Sequence, residues 1–348
     1  MFTAPKPVWY AILSSLWIAG SSTASTLEDS IISVEQSKRA LRTIQTERAI
    51  SNFLADVARR AVVRVSAEGF SLDDLAISLI IMKPNQPPKI GGYNDKTNFY
   101  PASVVKIPYA IALEKQFQDG RLKEEKEILY DLHDMLRRSS NAATNRILDR
   151  LTQTQSGPEL SPAELEAFAE KRQEVNRYLK SLGFSQTNAV QKTWDDWPYG
   201  RDLQYIGEDW SNRNQMTTKE TAEMLWLIGS EKVVSPKACQ RILQSMKRTP
   251  GNPKDIQSNR IGSGIPPTSS LWSKAGWTSE TNHDAAWVDL PIGGSFVLVV
   301  FTNANPREQE LMRFIAEEVT SGIQLNRIFP KQGIAQPGKL LIRSLEAR

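Results

Sequence analysis

Apolar and polar positions divide the chain into strand-forming segments near both ends and a helical middle. Residues 75–82 are almost all apolar and precede a proline-rich turn, which is typical of a buried strand. Residues 91–94 read Gly-Gly-Tyr-Asn and predict the next turn after this strand. Late in the chain, three more strand patterns occur around a second glycine pair, at residues 272–277, 285–290 and 295–302.

Helix start signals dominate the middle of the chain. Residues 161–164 read Ser-Pro-Ala-Glu, which combines a cap, a proline at the first helical position and a glutamate three residues after the cap. Residues 217–220 read Thr-Thr-Lys-Glu and form a second capping box. Because strands lie on both sides of these helices, the sequence predicts an α+β fold (an α/β sandwich). An antiparallel sheet would be flanked by helices, and a second lobe would be mostly helical.

The ends of the chain predict its domain boundaries. Lys6 precedes an apolar run over residues 8–20, and small residues follow up to Ala24. This pattern predicts an export signal cleaved after Ala24, and hence a periplasmic or extracellular protein. An uncleaved N-terminal membrane anchor is the alternative, although the run is short for a span. The predicted segments are a signal peptide (1–24), a polar helical extension that is either a stalk or an added helix (25–51), the main domain (52–330) and a loose tail (331–348).

Composition excludes several classes of function. Apolar and charged residues make up 40% and 24% of the 348 residues, which is ordinary for a soluble domain. The net charge is +4, and no basic surface interleaved with aromatic residues indicates nucleic-acid binding. Cys239 is the only cysteine, and we expect it to be buried in a helix. The two histidines, His133 and His283, are too few for a zinc site. We expect a monomer without metal, cofactor or protein partner.

A serine and a lysine three residues apart provide the first candidate chemistry. Ser103 and Lys106 stand in the sequence Ser-Val-Val-Lys, and residues at this spacing share one face of a helix. A serine hydroxyl is a weak nucleophile unless a base lies beside it, and a desolvated lysine amine can be that base. The apolar neighbours favour such burial. The alternative for this motif alone is a helix capped by Ser103, with Lys106 in solvent.

Two later motifs complete a known signature. Residues 139–141 read Ser-Ser-Asn at the start of a predicted helix, and residues 274–276 read Lys-Ala-Gly within a predicted strand. The order Ser-x-x-Lys, Ser-x-Asn, Lys-x-Gly is that of the penicillin-recognising serine enzymes. The chain therefore resembles class A β-lactamases from about residue 75 to about residue 328. This resemblance implies the β-lactamase/transpeptidase-like fold.

The resemblance also implies four catalytic residues. Ser103 would attack the substrate carbonyl, and Lys106 would shuttle its proton. Ser139 would protonate the leaving nitrogen. Lys274 would attract the substrate carboxylate and keep Ser139 poised.

Substrate-binding groups are implied in the same way. Asn141 would bind the substrate's side-chain amide and help to hold Lys106. The backbone N–H groups of Ser103 and Trp277 would form the oxyanion hole, with Gly276 beside Trp277 in the binding strand. The ligand would be a β-lactam or a small molecule derived from peptidoglycan.

The chain departs from the family pattern at three places. Ala275 stands where the family has threonine or serine, so a hydroxyl that helps to bind the substrate carboxylate is missing. Ser273 and Thr278 are the nearby hydroxyl groups that could replace it. Ser140 replaces an aspartate that is mostly structural. The third departure is the absence of a Glu-x-x-Leu-Asn segment, which in class A enzymes carries the deacylation base.

The missing base leaves the deacylation step open. Residues 190–216 hold five carboxylates, Asp195 among them, between tryptophans, and such surroundings can raise a carboxyl pKa. We take Glu208 as the possible deacylation base. Without a base, the acyl-enzyme would form and then hydrolyse slowly.

These observations predict an exported serine hydrolase that opens β-lactams, or related amides, through an acyl-Ser103 intermediate. A D-Ala-D-Ala carboxypeptidase-like peptidoglycan enzyme is the first alternative, and the missing glutamate favours it. A glutaminase-like or esterase relative is the second, and the predicted export argues against a cytosolic glutaminase. The third is a degenerate relative that only binds cell-wall material, although four intact motif residues argue against it.

Overall fold

A computed structural model describes residues 30–64, 70–195, 197–292, 294–304 and 309–329. The predicted signal peptide (1–24) and the predicted tail (331–348) lie outside the described residues. No helix in the described ranges combines the length and apolar character needed to cross a membrane.

A seven-stranded sheet forms the centre of the described chain. Its strand order is β1-β3-β2-β7-β6-β5-β4, and neighbouring strands are antiparallel except β1 and β3 at one edge. The late strand patterns are confirmed, and so is the predicted fold class. The strands are β1 (Gln45–Thr46), β2 (Leu75–Met82), β3 (Lys89–Tyr93), β4 (Lys247–Arg248), β5 (Ser270–Trp277), β6 (Asn282–Asp289) and β7 (Ser295–Thr302).

Helices cover both faces of this sheet. The described α-helices are α1 (Val34–Leu41), α2 (Arg48–Val62), α3 (Lys106–Gln118), α4 (Lys126–Arg137), α5 (Asn141–Thr152), α6 (Pro162–Arg172), α7 (Glu174–Leu182), α8 (Gly200–Ile206), α9 (Thr218–Gly229), α10 (Pro236–Met246) and α11 (Gln309–Gln324). Both capping boxes lie where the sequence predicts helix starts, before α6 and α9. Cys239 is buried in α10, as predicted.

Two hydrophobic cores result from the period-two alternation of side chains along the strands. In β2, Ala76 and Ile80 pack into the core shared with the helical lobe, whereas Leu75, Ile77 and Leu79 pack into the core under α2 and α11. The sheet therefore separates a layer of two helices from the lobe that contains α3 to α10.

The turn predicted at residues 91–94 is wrong for Gly91-Gly92, which lies inside β3, and the chain turns only from Asn94, which has a φ of 49°. A Cβ at Gly91 would lie 2.6 Å from Cβ of Ile50 and 2.7 Å from the backbone nitrogen of Ser51. The glycine is therefore needed for close packing of α2 on the sheet, rather than for chain reversal.

The described part of the N-terminal extension is an added helix rather than a free stalk. The backbone N–H of Ile32 donates to the carbonyl of Val234 at 2.7 Å, and the Ser37 hydroxyl donates to the carbonyl of Lys232 at 2.8 Å. The predicted boundary between residues 51 and 52 falls inside α2. This helix begins at Arg48 because the Glu47 side chain caps it.

Candidate active site

Ser103 lies in a short 3₁₀ turn (Ala102–Val105) that leads directly into α3, and Lys106 is the first residue of that helix. The preceding residue, Ala102, has a φ of 45°, which a side chain with a Cβ rarely adopts. The Ser103 hydroxyl has no hydrogen-bond partner within the described parts of the chain. The serine is thus held on a strained turn with its hydroxyl available to a ligand.

Lys106 is fully buried at the base of this turn. Its Nζ donates to the backbone oxygen of Ser139 at 2.6 Å and to Oδ1 of Asn141 at 2.8 Å, and it contacts Oγ of Ser139 at 3.1 Å. Burial lowers the pKa of Lys106 to about 7, although the carboxylates of Asp195 and Asp134 oppose the shift. At neutral pH, a large share of the amine is therefore neutral and able to accept a proton.

Ser139 lies between α4 and α5 and contacts both lysines of the predicted site. Its Oγ is 3.1 Å from Nζ of Lys106 and 2.9 Å from Nζ of Lys274. Ser139 has a φ of 61°, again in the left-handed region. The next residue, Ser140, caps α5 by accepting a hydrogen bond from the N–H of Ala143 at 3.2 Å. Ser140 thus has a structural function at the position where the family has aspartate.

Lys274 projects from β5 into the interior and is fully buried. Its Nζ donates to Oγ of Ser139 at 2.9 Å, to Oε1 of Gln257 at 3.0 Å and to the backbone oxygen of Ala275 at 2.6 Å. Burial, with further contributions from the positive charges of Lys106 and Arg248, holds its pKa well below the usual lysine value.

Gly276 allows β5 to lie directly against the turn that carries Ser103. A Cβ at Gly276 would lie 2.6 Å from the carbonyl oxygen of Pro101 and 2.7 Å from the amide nitrogen of Ser103. The side chain of the next residue, Trp277, lines the cleft, and the guanidinium of Arg260 stacks on it at 4.5 Å. The structure therefore brings the amide of Ser103 to the strand that supplies Trp277, as the oxyanion-hole prediction requires.

Ser103, Ser139 and Asn141 open into one cleft of about 730 Å³. Indole rings and two guanidinium groups form much of its wall, from Trp194, Trp197, Trp210, Trp277, Arg138 and Arg213. Lys274 does not line this cleft. In the described residues, no group of three or more His, Cys, Asp or Glu side chains is arranged to hold a metal ion.

Among the described residues, the carboxylate that lines the cleft is that of Asp195 and not that of Glu208. Glu208 is exposed in the turn after α8 and does not line the cleft. Asp195 lines the cleft, and its Oδ1 accepts a hydrogen bond from Nδ2 of Asn141 at 2.6 Å. The feature of the sequence that indicated Asp195 was its position directly after Trp194, in the segment rich in acidic and aromatic residues.

Two interactions hold the segment that carries Asp195. The buried side chain of Arg172 donates to the backbone oxygen of Val190 at 3.3 Å and is itself fixed by an ion pair with Asp202 at 2.7 Å. In α5, one turn after Asn141, the side chain of Asn145 accepts a hydrogen bond from the backbone N–H of Thr193 at 2.9 Å. The same helix therefore positions both Asn141 and the backbone next to Asp195.

The seven-stranded sheet, the helical lobe and the paired lysines around Ser139 define the class of the penicillin-recognising serine enzymes. A family model described as "Beta-lactamase enzyme family" matches residues 132–322. The chain belongs to this family. The matched range includes Ser139, Asn141, Lys274 and Gly276, whereas Ser103 and Lys106 precede it.

Solved structures show the same fold at low sequence identity. A mutant of PBP-A, determined as an acyl-enzyme complex with penicillin G, is 19% identical, with a TM-score of 0.55 over 77% of this chain and 96% of that one. A β-lactamase from Sphaerobacter thermophilus is 18% identical, with a TM-score of 0.57 over 78% and 98% of the two chains. The TLA-1 extended spectrum β-lactamase is 12% identical, with a TM-score of 0.57 over 77% and 98%. No protein with a curated description matches the sequence.

Proposed function

We propose that this protein is a serine hydrolase that opens β-lactams or related amides through an acyl-Ser103 intermediate. The observation that carries the proposal is the position of the Ser139 hydroxyl between the amines of Lys106 and Lys274, in the cleft that also exposes Ser103. This arrangement can move a proton from an attacking hydroxyl to a leaving nitrogen.

Acylation would proceed as follows. Neutral Lys106 accepts the proton of Ser103, and Oγ of Ser103 attacks the substrate carbonyl. The N–H groups of Ser103 and Trp277 stabilise the negative oxygen of the tetrahedral intermediate. The C–N bond then breaks, and the nitrogen takes the proton of Ser139, which Lys106 replaces. Lys274 holds Ser139 in place during this transfer.

Deacylation would use Asp195. Asn141 holds this carboxylate by a 2.6 Å hydrogen bond at the cleft wall. Asp195 would accept a proton from water as the water attacks the ester carbonyl. The same proton would then pass from Asp195 through Lys106 to Oγ of Ser103 as the ester C–O bond breaks, so that the carboxylate, the neutral amine and the free hydroxyl are all restored. Hydrolysis therefore has a candidate base, although the segment lacks the glutamate of class A enzymes.

Ser103→Ala should abolish covalent labelling, because no other residue occupies the nucleophile position of this site. We would incubate both proteins with a fluorescent penicillin and, separately, with an activated thioester, and measure intact mass. The wild-type adduct should map to the peptide that contains Ser103. An adduct of equal yield on the Ser103→Ala variant would refute the proposal.

Export of the protein is a further part of the proposal and is based on residues 1–24.

A further inference from the structure

The Nζ group of Lys274 has no N–H left for a substrate. A lysine side chain carries three N–H donors when it is protonated and two when it is neutral. Three acceptors surround Nζ within 3.0 Å: Oγ of Ser139, Oε1 of Gln257 and the backbone oxygen of Ala275. The side chain is fully buried and does not line the cleft. The resemblance to class A enzymes implies that this lysine attracts the substrate carboxylate.

Gln257 is held in a position in which its side-chain oxygen accepts a hydrogen bond from Lys274. Its Oε1 also accepts a hydrogen bond from the N–H of Ala275 at 3.2 Å, so one amide oxygen bridges two donors of β5. The backbone N–H of Gln257 donates to Oδ1 of Asp255 at 3.1 Å, and Asp255 in turn pairs with Arg137 and Arg248, which holds the main chain that carries the side chain. Only 3% of Gln257 is exposed. The side chain is therefore a built part of the site rather than a mobile surface group.

Hydroxyl groups of β5 do not replace the one that Ala275 lacks. Ser273 is fully buried, and its Oγ has no hydrogen-bond partner among the described residues. Thr278 lines the cleft, but its Oγ1 is bonded to Oγ1 of Thr281 at 3.0 Å and accepts from the N–H of Glu280 at 3.1 Å. Ser273 is therefore out of reach of a ligand in the cleft, and Oγ1 of Thr278 already has two hydrogen-bond partners.

The guanidinium groups next to Lys274 are also engaged. Arg248 donates to the backbone oxygens of Leu136 and Arg137, at 2.7 Å each. Arg260 donates to Oδ1 of Asn282 and to the backbone oxygen of Ile256, at 2.6 Å each. A carboxylate that approached Lys274 would have to displace Gln257 and would lose its hydration without gaining a full set of donors.

We propose that Gln257 is a specificity-determining residue that caps Lys274, so that the site favours substrates whose leaving-group side is uncharged. Such substrates are esters, or amides that carry a neutral group where penicillins and C-terminal peptides carry a free carboxylate. This inference rests on the proposed acyl-Ser103 chemistry and names its substrate class. It implies that carboxylate-bearing β-lactams acylate Ser103 slowly.

The test compares two substrates that differ only in this charge. A chromogenic cephalosporin and its methyl ester would be mixed with wild-type protein, and the second-order acylation rate constant would be measured in single-turnover experiments. The wild type should react faster with the ester. Gln257→Ala frees one N–H of Lys274 and should shift the ratio of the rate constants toward the acid by about tenfold or more.

Two further variants keep the test decisive. Ala275→Ser adds a donor by a separate route and should shift the ratio in the same direction, even if Gln257→Ala lowers stability. Gln240→Ala is the matched control, because this exposed glutamine on α10 pairs only with Glu231 at the surface. A wild-type preference for the free acid would overturn the inference, as would an unchanged ratio in both Gln257→Ala and Ala275→Ser.

An uncharged activated thioester separates this inference from the function on which it rests. If the thioester labels Ser103 and the ratio does not move, the inference about Gln257 alone fails. If neither the thioester nor the cephalosporins label Ser103, both the proposed function and this inference are refuted.

Discussion

Lys106 carries the strongest pH dependence expected of this site. Its burial lowers the pKa of the amine to about 7, and the first carboxylate that opposes this shift is that of Asp195. Only the neutral amine has a lone pair for the proton of Ser103. The acylation rate should therefore be low when Lys106 is protonated and should rise as the pH increases.

The pH profile of acylation should have its midpoint near pH 7 and a plateau above it. Asp195→Asn removes a negative charge that raises the pKa of Lys106, so its midpoint should move to lower pH. Stopped-flow measurement of acylation across the neutral range, at constant ionic strength, would test both expectations. A midpoint near the ordinary lysine value, unchanged by Asp195→Asn, would contradict the assignment of Lys106 as the base.

Deacylation should depend on Asp195 rather than on Glu208. Asp195→Asn keeps the shape of the side chain but removes the base, so steady-state hydrolysis should slow by a factor of about 10² to 10⁴. The variant should show a burst of one equivalent, because acylation does not need this carboxylate as a base and the acyl-enzyme then accumulates. Glu208→Gln is the control and should hydrolyse at the wild-type rate. The reverse pattern would restore Glu208 as the base.

At the scale of elements, the contact between β5 and the turn of Ser103 sets the geometry of the site. The atoms that surround Gly276 at this contact belong to the main chain of Pro101, Ser103 and Val104. A main chain cannot swing away as a long side chain can. The position of the nucleophile therefore depends on the absence of a single methyl group on β5.

Gly276→Ala should impair both acylation and stability. The added Cβ would lie within 2.9 Å of three main-chain atoms, which forces the nucleophile turn away from β5. A displacement of about 1 Å can cost roughly a hundredfold in rate, and the overpacking should lower the free energy of unfolding by about 1–3 kcal/mol. Thermal unfolding and the acylation rate would be measured together.

Gly157→Ala is the matched control for this substitution. A Cβ there would meet the end of the Arg201 side chain, at 2.9 Å from Nη2, and this flexible group can move. Its acylation rate should remain that of the wild type. Equal losses in the two variants would mean that the close approach at Gly276 does not position Ser103.

At the scale of the whole molecule, the sequence predicts the architecture better than the details of the cleft. The strands of the late hairpin and the capped starts of α6 and α9 follow from local periodicity and side-chain chemistry. The pair Gly91-Gly92 was misread because glycine also serves close packing, and the neighbouring Ile50 is distant in sequence. Local patterns cannot reveal which remote side chain a glycine accommodates.

The same limit explains the two residues of the site that were missed or misassigned. Gln257 lies in an irregular segment before β5, and nothing in its neighbours indicates that its side chain reaches Lys274. Asp195 and Glu208 have similar surroundings in the sequence, and they are distinguished only in the structure, where Asp195 lines the cleft and accepts a hydrogen bond from Asn141. The order of the motifs predicted which residues lie together, because that order reflects a shared topology. The contacts of residues particular to this chain could be seen only in the structure.

The pairing of β2 with β7 has a consequence for the order in which the protein can assemble. Leu75 pairs with Thr302 and Met82 pairs with Ser295. The middle of the sheet therefore joins two strands that are more than 200 residues apart in the sequence and are synthesised at different times. Until β7 is synthesised, the apolar strand β2 lacks this neighbour. Lys274 is also made long after Ser103. A nascent chain that has not yet reached β5 therefore carries Ser103 without Lys274, and the proposed site cannot assemble before that strand is made.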